Sequence, residues 1–438
     1  MKVTVIGGGL AGSEAAYQLA KRGVEVVLYE MRPKKFTPAH RTDKFAELVC
    51  SNSLKSKDIY NAHGLLKHEL EKLDSLIIKA AKFAELPGGK ALVVDREKFS
   101  DFITNVLKSF KNIHIVHEEV TEIPEDEVVI VATGPLTSDK LAENLQKILG
   151  VEYLSFYDAL SPIVDAESLN YERLYFKDRH GWDDSSYLNA PMTEEEYYRF
   201  YEALVNAEVY MGHEFEQKEK VRYFEGCLPI EEMAKRGPET LRYGPLRASG
   251  LPDPKTGKEP FAVVQLRPEN EERTAYSLVG FQTQLKIPEQ RRVFRMIPGL
   301  ENARFLRYGA VHRNTFIKAP AVMKPTLQVK NKPKIFIAGQ LVGTEGYVEA
   351  AMGGLVAGIN AYLLISGKEP LVFPINTMIG ALLDYIAHSD PKHFQPMNAN
   401  IGLFKNIPPH IKKKNRREFI IRRAIKEFDE WIKYSRIF

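Results

Sequence analysis

Residues at the amino terminus have the types and spacing of a dinucleotide-binding motif. Glycines at positions 7, 9 and 12 fit the pattern G-x-G-x-x-G. The first glycine permits a tight turn, the second lets a pyrophosphate approach the backbone, and the third lets helix and strand pack closely. Glu30, eighteen residues after the last of these glycines, can accept hydrogen bonds from a ribose diol. The residues predicted to contact the cofactor here are Gly7, Gly8, Gly9, Leu10, Ala11, Gly12 and Glu30.

Two cysteines are the other residues that could do chemistry. Cys50 precedes the polar, turn-forming run Ser51-Asn52-Ser53, and Cys227 lies in a turn bracketed by glycine and proline. A lone cysteine is most often an inert small hydrophobic residue, whereas an accessible turn suits a reactive thiolate. Both interpretations stay open for each cysteine. Two cysteines in 438 residues argue against a disulfide framework and indicate a reducing compartment.

The segments around the glycine motif are predicted to form a strand, a helix and a second strand. Val3–Ile6 is a short apolar run, and helix-forming residues continue to Arg22, where Gly23 ends the helix. Val24–Tyr29 is the second apolar run. This order places the helix N-terminus, with its unpaired N–H groups and positive dipole end, at the phosphates of a bound dinucleotide.

Two later segments favour FAD over NAD as that dinucleotide. The buried run Val128–Thr133 ends at Gly134 and resembles the strand that closes the adenosine-binding sheet in FAD enzymes of the glutathione-reductase type. A second strand, Ile335–Gly339, leads through Gly346 and Tyr347 into a helix of small residues from 349 to 361. That arrangement resembles the late FAD motif, in which a helix N-terminus lies near the flavin. A second complete glycine fingerprint for a separate NAD(P)H domain is not visible.

Composition predicts an ordinary globular protein with two or three domains. We expect no membrane span, since no run of about eighteen apolar residues occurs, and no signal peptide, since the chain begins with a strand. These features predict a cytoplasmic protein. No metal site is predicted.

The predicted fold class is α/β, a Rossmann-type FAD-binding domain interrupted by an inserted α+β domain. The FAD-binding domain is assigned to residues 1–165 and 305–438. The insertion is assigned to 166–304, where strand-like runs at Ala262–Leu266 and Tyr276–Leu285 suit an antiparallel sheet. A further strand is expected from Arg304 to Tyr308.

The carboxyl-terminal segment 405–438 is strongly basic. It holds eleven Lys and Arg residues against four Asp and Glu, and its apolar residues have the spacing of a docked amphipathic helix. Its cations would form one solvent-facing patch that attracts RNA phosphates, or else an ordinary solvated helix face. The candidate RNA-binding residues are Lys412, Lys413, Lys414, Arg416 and Arg417.

Several runs together resemble the folate- and FAD-dependent tRNA (uracil-5-)-methyltransferases, the TrmFO family. The resemblance covers the whole chain, and its most specific parts are the two cysteine-containing runs and the Val-His-Arg-Asn run. The matching segments are 3–16, Tyr29-Glu30-Met31-Arg32-Pro33, Leu48–Ser53, Phe224–Glu231, Gly309–Thr315 and Gly343–Tyr347.

The resemblance implies a particular reaction. Reduced FAD takes a one-carbon unit from methylenetetrahydrofolate and supplies electrons, the carbon goes to C5 of a T-loop uridine in tRNA, and NADH or NADPH restores reduced flavin. Uracil C5 becomes nucleophilic when a thiolate adds at C6, and a second thiol or a base must then remove the C5 proton. The resemblance therefore implicates Cys50 and Cys227 as catalytic residues, without deciding which one attacks.

The resemblance also implies the remaining site residues. Arg32, Gly134, Gly339, Gly346 and Tyr347 fall in the segments assigned to FAD. A loop with His312, Arg313 and Asn314 is expected to face the folate, because an imidazole can stack on a pterin and Arg can pair with a carboxylate. A structural role for these polar residues is the alternative. For the protein as a whole, the alternatives are the same chemistry on ribosomal RNA, an FAD oxidoreductase acting on a small metabolite, and a non-enzymatic RNA-binding flavoprotein.

Overall fold

The computed structural model of the chain describes residues 2–151, 153–181, 186–210, 228–409 and 411–435, and for 153–159 and 311–313 it describes the backbone alone. The helices α1 to α13 span Leu10–Ala20, Ala62–Lys72, Leu76–Phe83, Arg96–Ser109, Asp139–Leu149, Glu194–Val205, Ile230–Ala234, Thr240–Tyr243, Ile287–Phe294, Ala319–Val322, Tyr347–Ile365, Met378–His388 and Arg416–Ser435. The strands β1 to β17 span Lys2–Ile6, Glu25–Tyr29, Ser53–Ser56, Glu85–Leu86, Ala91–Val94, Ile113–Val116, Val129–Val131, Tyr153–Ala159, Ile163–Asp165, Tyr175–Phe176, Leu188–Met192, Ala262–Pro268, Ala275–Leu278, Phe305–Arg307, Val311–Ile317, Gln328–Val329 and Lys332–Ile337.

A mostly parallel sheet forms the first layer of the fold. Its strand order is β16-β17-β7-β1-β2-β6, and only β16 runs antiparallel to its neighbour. β1 lies between β2 and β7, so the loops after β1 and β7 meet at the same sheet edge. The predicted Rossmann-type α/β fold is confirmed, and the cofactor motif lies at the carboxyl ends of parallel strands, where such folds bind ligands.

Helix α11 packs directly on α1, and glycine makes this contact possible. A Cβ atom added to Gly354 would lie 2.0 Å from the backbone oxygen of Ala11, and one added to Gly358 would lie 2.9 Å from that of Ala15. Among the described residues, α11 alone is long and apolar enough to cross a membrane, and 83% of its apolar window is buried inside the protein. Its buried residues belong to the hydrophobic core that surrounds the parallel sheet, which we call the first core.

A second sheet lies in the middle of the chain and has its own hydrophobic core. Its order is β10-β11-β12-β13-β9-β14, with every pair antiparallel. The expected strand at Tyr276–Leu285 is wrong after Leu278, because Gly280 takes a left-handed φ of 79° and turns the chain out of the sheet. β9 and β14 lie directly outside the segment 166–304, whose assignment as an inserted domain stays a prediction.

The fold contains two smaller sheets in addition to the two six-stranded sheets. β8 and β15 form an antiparallel pair, and β3, β5 and β4 form a three-stranded sheet directly after the Cys50 segment. At the carboxyl terminus α13 buries Ile420, Ile421, Ala424 and Phe428, which agrees with the amphipathic pattern. Trp431 packs on Phe373 with ring centroids 4.6 Å apart, so the helix is docked on the first core.

Candidate active site

A long cavity runs along the carboxyl edge of the parallel sheet. It encloses about 1040 Å³, part of it open to solvent, and it extends from the N-terminus of α1 to the N-terminus of α11. Of the residues predicted to contact the cofactor, ten line this cavity: Gly7, Gly8, Gly9, Leu10, Ala11, Glu30, Arg32, Gly134, Gly339 and Tyr347. Gly12 and Gly346 are not among the residues that line it.

The glycines of the motif have separate structural tasks. Gly7 takes a φ of 102°, and a Cβ at Gly12 would lie 1.8 Å from the Gly7 oxygen, so both positions need glycine for packing. Gly9 is different, since a Cβ there would meet nothing within 4 Å. Gly9 precedes the first turn of α1, whose N–H groups have no partners within the helix. The open space beside it suits a phosphate.

Glu30 and Arg32 form a buried pair at the end of β2. One Glu30 oxygen accepts from the Arg32 N–H and Nε at 3.0 and 2.9 Å, and the other accepts from the Gly8 N–H and from Arg32 Nη2 at 2.9 and 3.0 Å. Although burial opposes ionisation, the Arg32 guanidinium holds the pKa of Glu30 below its usual value. All four acceptor positions of this carboxylate are in use, so a ribose hydroxyl must share or displace one of them.

Arg32 also fixes the loop that covers this end of the cavity. Its Nη1 donates to the carbonyls of Thr42 and Lys44 and to the Glu47 carboxylate. His40, in the same loop, lines the cavity and bonds to Thr37. Burial, reinforced by the Arg32 charge, lowers the pKa of His40 to about 4, so its imidazole is neutral at pH 7. Thr37 and His40 had no recognisable signal in the sequence.

Tyr347 connects the other end of the cavity to Cys50. It is the first residue of α11, and its hydroxyl accepts a hydrogen bond of 2.7 Å from the Cys50 N–H. Burial, together with the charge of Cys50, raises the pKa of Tyr347 well above its usual range, so the phenol keeps its proton. Cys50 lies in a loop before β3, as predicted, and the structure holds that loop at the cavity wall.

Three side chains hold the Cys50 loop: Arg96 and Arg307, which are half-buried, and Asn52. The Cys50 carbonyl accepts from Arg96 Nη2 and Arg307 Nη2, each at 2.9 Å. Asn52 is wholly buried and donates to the carbonyls of Val94 and Pro268 at 3.1 and 2.8 Å. Asn52 lies in the cysteine motif, but nothing local in the sequence identifies the arginines, which are 46 and 257 residues away from Cys50.

A buried carboxylate lies at the start of α11. Glu349 is 1% exposed, and its Oε1 lies 3.3 Å from His63 Nδ1, 3.9 Å from Lys55 Nζ and 2.9 Å from the Ala399 N–H. Although burial acts in the opposite direction, Lys55 and His63 lower the pKa of Glu349 to about 2. A Cβ at Gly346 would lie 2.1 Å from Glu349 Oε2, which explains the glycine there.

The other predicted site residues fall into three groups. Cys227 lies outside the described residues, as do the side chains of His312 and Arg313. The expected loop at 312–314 is instead part of β15, because these residues pair with β8, and Asn314 is buried there. The neighbouring Thr315 N–H donates to Pro135, a cavity residue, at 3.0 Å. The five basic tail residues are all exposed.

Comparison with known proteins places this architecture in a family. Residues 2–369 match the family model of glucose inhibited division protein A, GidA. The Aquifex aeolicus GidA structure in its form II crystal superposes with a TM-score of 0.67 at 19% identity, covering 98% of this chain and 73% of that one. At that identity the likeness shows the fold.

Closer relatives are found by sequence. A Dictyoglomus thermophilum protein is 55% identical over 434 residues, which cover 99% of this chain and 98% of the relative. An Anoxybacillus flavithermus protein is 55% identical over 99% of this chain and 100% of its own length. Both are named methylenetetrahydrofolate–tRNA-(uracil-5-)-methyltransferase TrmFO. The chain therefore belongs to the GidA family and, within it, to the TrmFO methyltransferases.

Proposed function

We propose that this protein methylates C5 of a T-loop uridine in tRNA with the one-carbon unit of methylenetetrahydrofolate, with FAD bound in the long cavity. The observation that carries the proposal is the hydrogen bond between Cys50 and Tyr347, which fixes a cysteine loop to the wall of a dinucleotide cavity. Family membership supports the same reaction, because relatives 55% identical carry that activity in their names.

The residues of the cavity fit FAD along its whole length. The N-terminus of α1 and the open space at Gly9 would hold the pyrophosphate, and the Glu30–Arg32 pair would hold the ribose of the adenosine. Gly339 and Tyr347 would border the flavin. When bound and reduced, FAD supplies the carrier for the one-carbon unit and the electrons that turn methylene into methyl, and NAD(P)H replaces those electrons.

The cysteines would supply the nucleophile and help to move protons. A thiolate forms a bond to uracil C6, and the electrons of the C5–C6 double bond move toward the C4 carbonyl, which makes C5 nucleophilic. After C5 has accepted the carbon, a second thiol or a base removes the C5 proton, and the sulfur–C6 bond breaks. Cys50 and Cys227 are the proposed pair, with the identity of the attacking residue left open.

Two different elements of the fold would bind folate and RNA. β15, which carries His312, Arg313 and Asn314, touches the cavity edge through Thr315 and Pro135, and this contact supports a folate site there. The exposed cations before and at the start of α13 support an RNA-binding tail. We further propose a cytoplasmic location, and an FAD domain at 1–165 and 305–438 with an insertion at 166–304.

The direct test uses the purified, flavin-loaded protein. It is incubated with methylenetetrahydrofolate, NAD(P)H and unmodified tRNA, and 5-methyluridine is measured by mass spectrometry of nucleosides. We expect one methyl group per tRNA in the T-loop. Unmodified ribosomal RNA serves as the competing substrate, and methylation of that RNA alone would replace tRNA in the proposal.

Replacement of Gly9 by valine is expected to remove FAD while preserving the fold. A Cβ atom at this position would meet no protein atom within 4 Å, and the added side chain would fill the place proposed for the pyrophosphate. Flavin absorbance per protein in the purified variant should fall to a small fraction of the wild-type value. The unfolding midpoint of the apoprotein should not change, and full flavin occupancy in the variant would contradict the assignment.

Reversal of three tail charges is expected to weaken tRNA binding without affecting flavin content. Lys413, Arg416 and Arg417 are replaced by glutamate, and acidic residues in the first turn of α13 do not disfavour the helix. The slope of log affinity against log salt should fall by about 2 to 3, since about one counterion is released per phosphate contact.

The control for this variant carries the same change in net charge elsewhere. Three exposed lysines on or beside other elements, Lys108, Lys111 and Lys147, are replaced by glutamate. This control should keep most of the wild-type affinity and salt slope. Equal losses in both variants would mean that the tail only contributes net charge.

A further inference from the structure

Two arginines from distant parts of the fold converge on the main chain of the Cys50 loop. Arg96 begins α4, and Arg307 ends β14 in the second sheet. Besides the Cys50 carbonyl, Arg96 Nη1 donates to the Leu48 carbonyl, and Arg307 Nη1 donates to the Val49 carbonyl at 3.1 Å. Guanidinium donors therefore occupy three successive carbonyls and leave the main chain of this loop little freedom to move.

The cluster around this loop carries excess positive charge. Glu269 pairs with Arg96 and is 6% exposed, and it is the only carboxylate among the described residues that bonds to either arginine. Arg267 adds a third guanidinium, 8% exposed, whose Nε donates to Asn52 at 2.7 Å. Three buried or partly buried cations face one anion, an arrangement that favours the approach of a further negative charge.

Cys50 is placed to supply that charge. Its carbonyl oxygen lies 2.9 Å from a terminal nitrogen of each guanidinium, so a thiolate on the same residue would be attracted to both positive charges. Burial acts to lower the pKa of Arg96, but the Glu269 carboxylate outweighs it and raises that pKa. The pKa of Arg307 is lowered by burial and by the nearby charge of Arg96. Both guanidinium groups remain charged at neutral pH. Tyr347 is a further titratable group at Cys50, and it keeps its proton.

We propose that Arg96 and Arg307 are positioning residues that orient the Cys50 loop and stabilise its thiolate, and that Glu269 limits this effect by neutralising part of their charge. The proposal rests on the methyl transfer proposed above, in which Cys50 is one of the two reactive cysteines. In this proposal the arginines stabilise the Cys50 thiolate and Glu269 destabilises it. If these residues only held the loop in place, the sign of their charge would not matter.

The test is the pH dependence of Cys50 alkylation in the full-length, flavin-loaded protein. The reagent is iodoacetamide, which is uncharged, and mass spectrometry of peptides separates modification at Cys50 from that at Cys227. Replacement of Arg307 by glutamine should raise the midpoint of the rate–pH curve by about one pH unit, because a nearby opposite charge favours the thiolate by that order. Glu269→Gln should lower the midpoint.

Two further variants distinguish charge from packing. Arg307→Lys keeps the charge and should keep the midpoint near the wild-type value, even if the loss of the two-pronged contact slows methylation. Arg304→Gln removes an exposed arginine three residues away, which pairs with Asp165 and Glu167, and should leave the curve unchanged. Loosening of the loop alone would change the plateau rate at high pH and leave the midpoint in place.

The outcomes separate this inference from the proposed function. Midpoints that stay fixed, or that move in the same direction in Arg307→Gln and Glu269→Gln, would overturn the inference even if the wild-type protein methylates tRNA. Failure of the wild-type protein to methylate any RNA would overturn the proposed function, whatever the alkylation curves show. Arg96→Gln is the equivalent variant at the other arginine. If that protein does not fold, the Arg307 and Glu269 variants are sufficient to test the inference.

Discussion

Replacement of Cys50 by alanine is expected to abolish uridine methylation and to leave the fold and the flavin site intact. The three hydrogen bonds described above at residue 50 use its main chain: its N–H donates to Tyr347, and its carbonyl accepts from Arg96 and Arg307. Alanine preserves all three. Loss of a group that forms a covalent bond or handles a proton should slow turnover by about 10³-fold or more, which is about 4 kcal/mol in barrier.

Three measurements check this prediction. Methylated uridine is quantified with saturating substrates, flavin content is read from visible absorbance, and NAD(P)H is added to show that the variant still accepts electrons. Cys50→Ser is the matched variant, because a hydroxyl has nearly the size of a thiol but is a far weaker nucleophile. Cys227→Ala should behave like Cys50→Ala. If the variant with both cysteines replaced by alanine methylates uridine at the wild-type rate, the cysteine mechanism is wrong.

A mechanism-based trap then identifies the attacking residue. In tRNA that contains 5-fluorouracil, fluorine at C5 blocks proton loss, so the sulfur–C6 bond should persist. The variant that lacks the nucleophile should form no complex that survives denaturation, while the other variant can still form one. Adducts in both single variants would mean that either thiol can attack.

Replacement of Gly354 by alanine is expected to destabilise the protein by about 3 kcal/mol and to lower its flavin content. In an exposed helix the same change stabilises by about 1 kcal/mol, so helix propensity predicts the opposite sign. At this position the added methyl group would lie 2.0 Å from the backbone oxygen of Ala11. The helices α1 and α11 must separate, and their N-termini form the two ends of the cavity.

The same substitution one turn later serves as the control. At Gly358 the nearest atom would be 2.9 Å away, so Gly358→Ala should cost less than Gly354→Ala in the same helix. Denaturant midpoints of the apoproteins measure the stability difference, and flavin absorbance measures the effect on the cavity. An unchanged or raised midpoint for Gly354→Ala would show that the helices can adjust without loss.

The local elements and the cofactor motif could be predicted from the sequence. Gly7, Gly9 and Gly12 follow a short apolar strand and begin a helix, and these features depend on hydrogen bonds and steric limits within a few residues. The carboxyl-terminal helix was predictable for a similar reason, since its apolar spacing matches the helical period. Fold class and family were accessible because such segments occur in a characteristic order along the chain.

The surroundings of Cys50 could not be predicted from the sequence, because they form through long-range packing. Arg96 and Arg307 reach its loop from separate elements, and Asn52 anchors the loop to two more carbonyls. Both oxygens of Glu30, the proposed ribose acceptor, already accept hydrogen bonds from Arg32 and Gly8. The strand at 276–285 ended early at Gly280, and the expected loop at 312–314 became part of a strand through pairing with β8. These features depend on which surfaces pack together across hundreds of residues, and neither periodicity nor local propensity carries information about contacts at that separation.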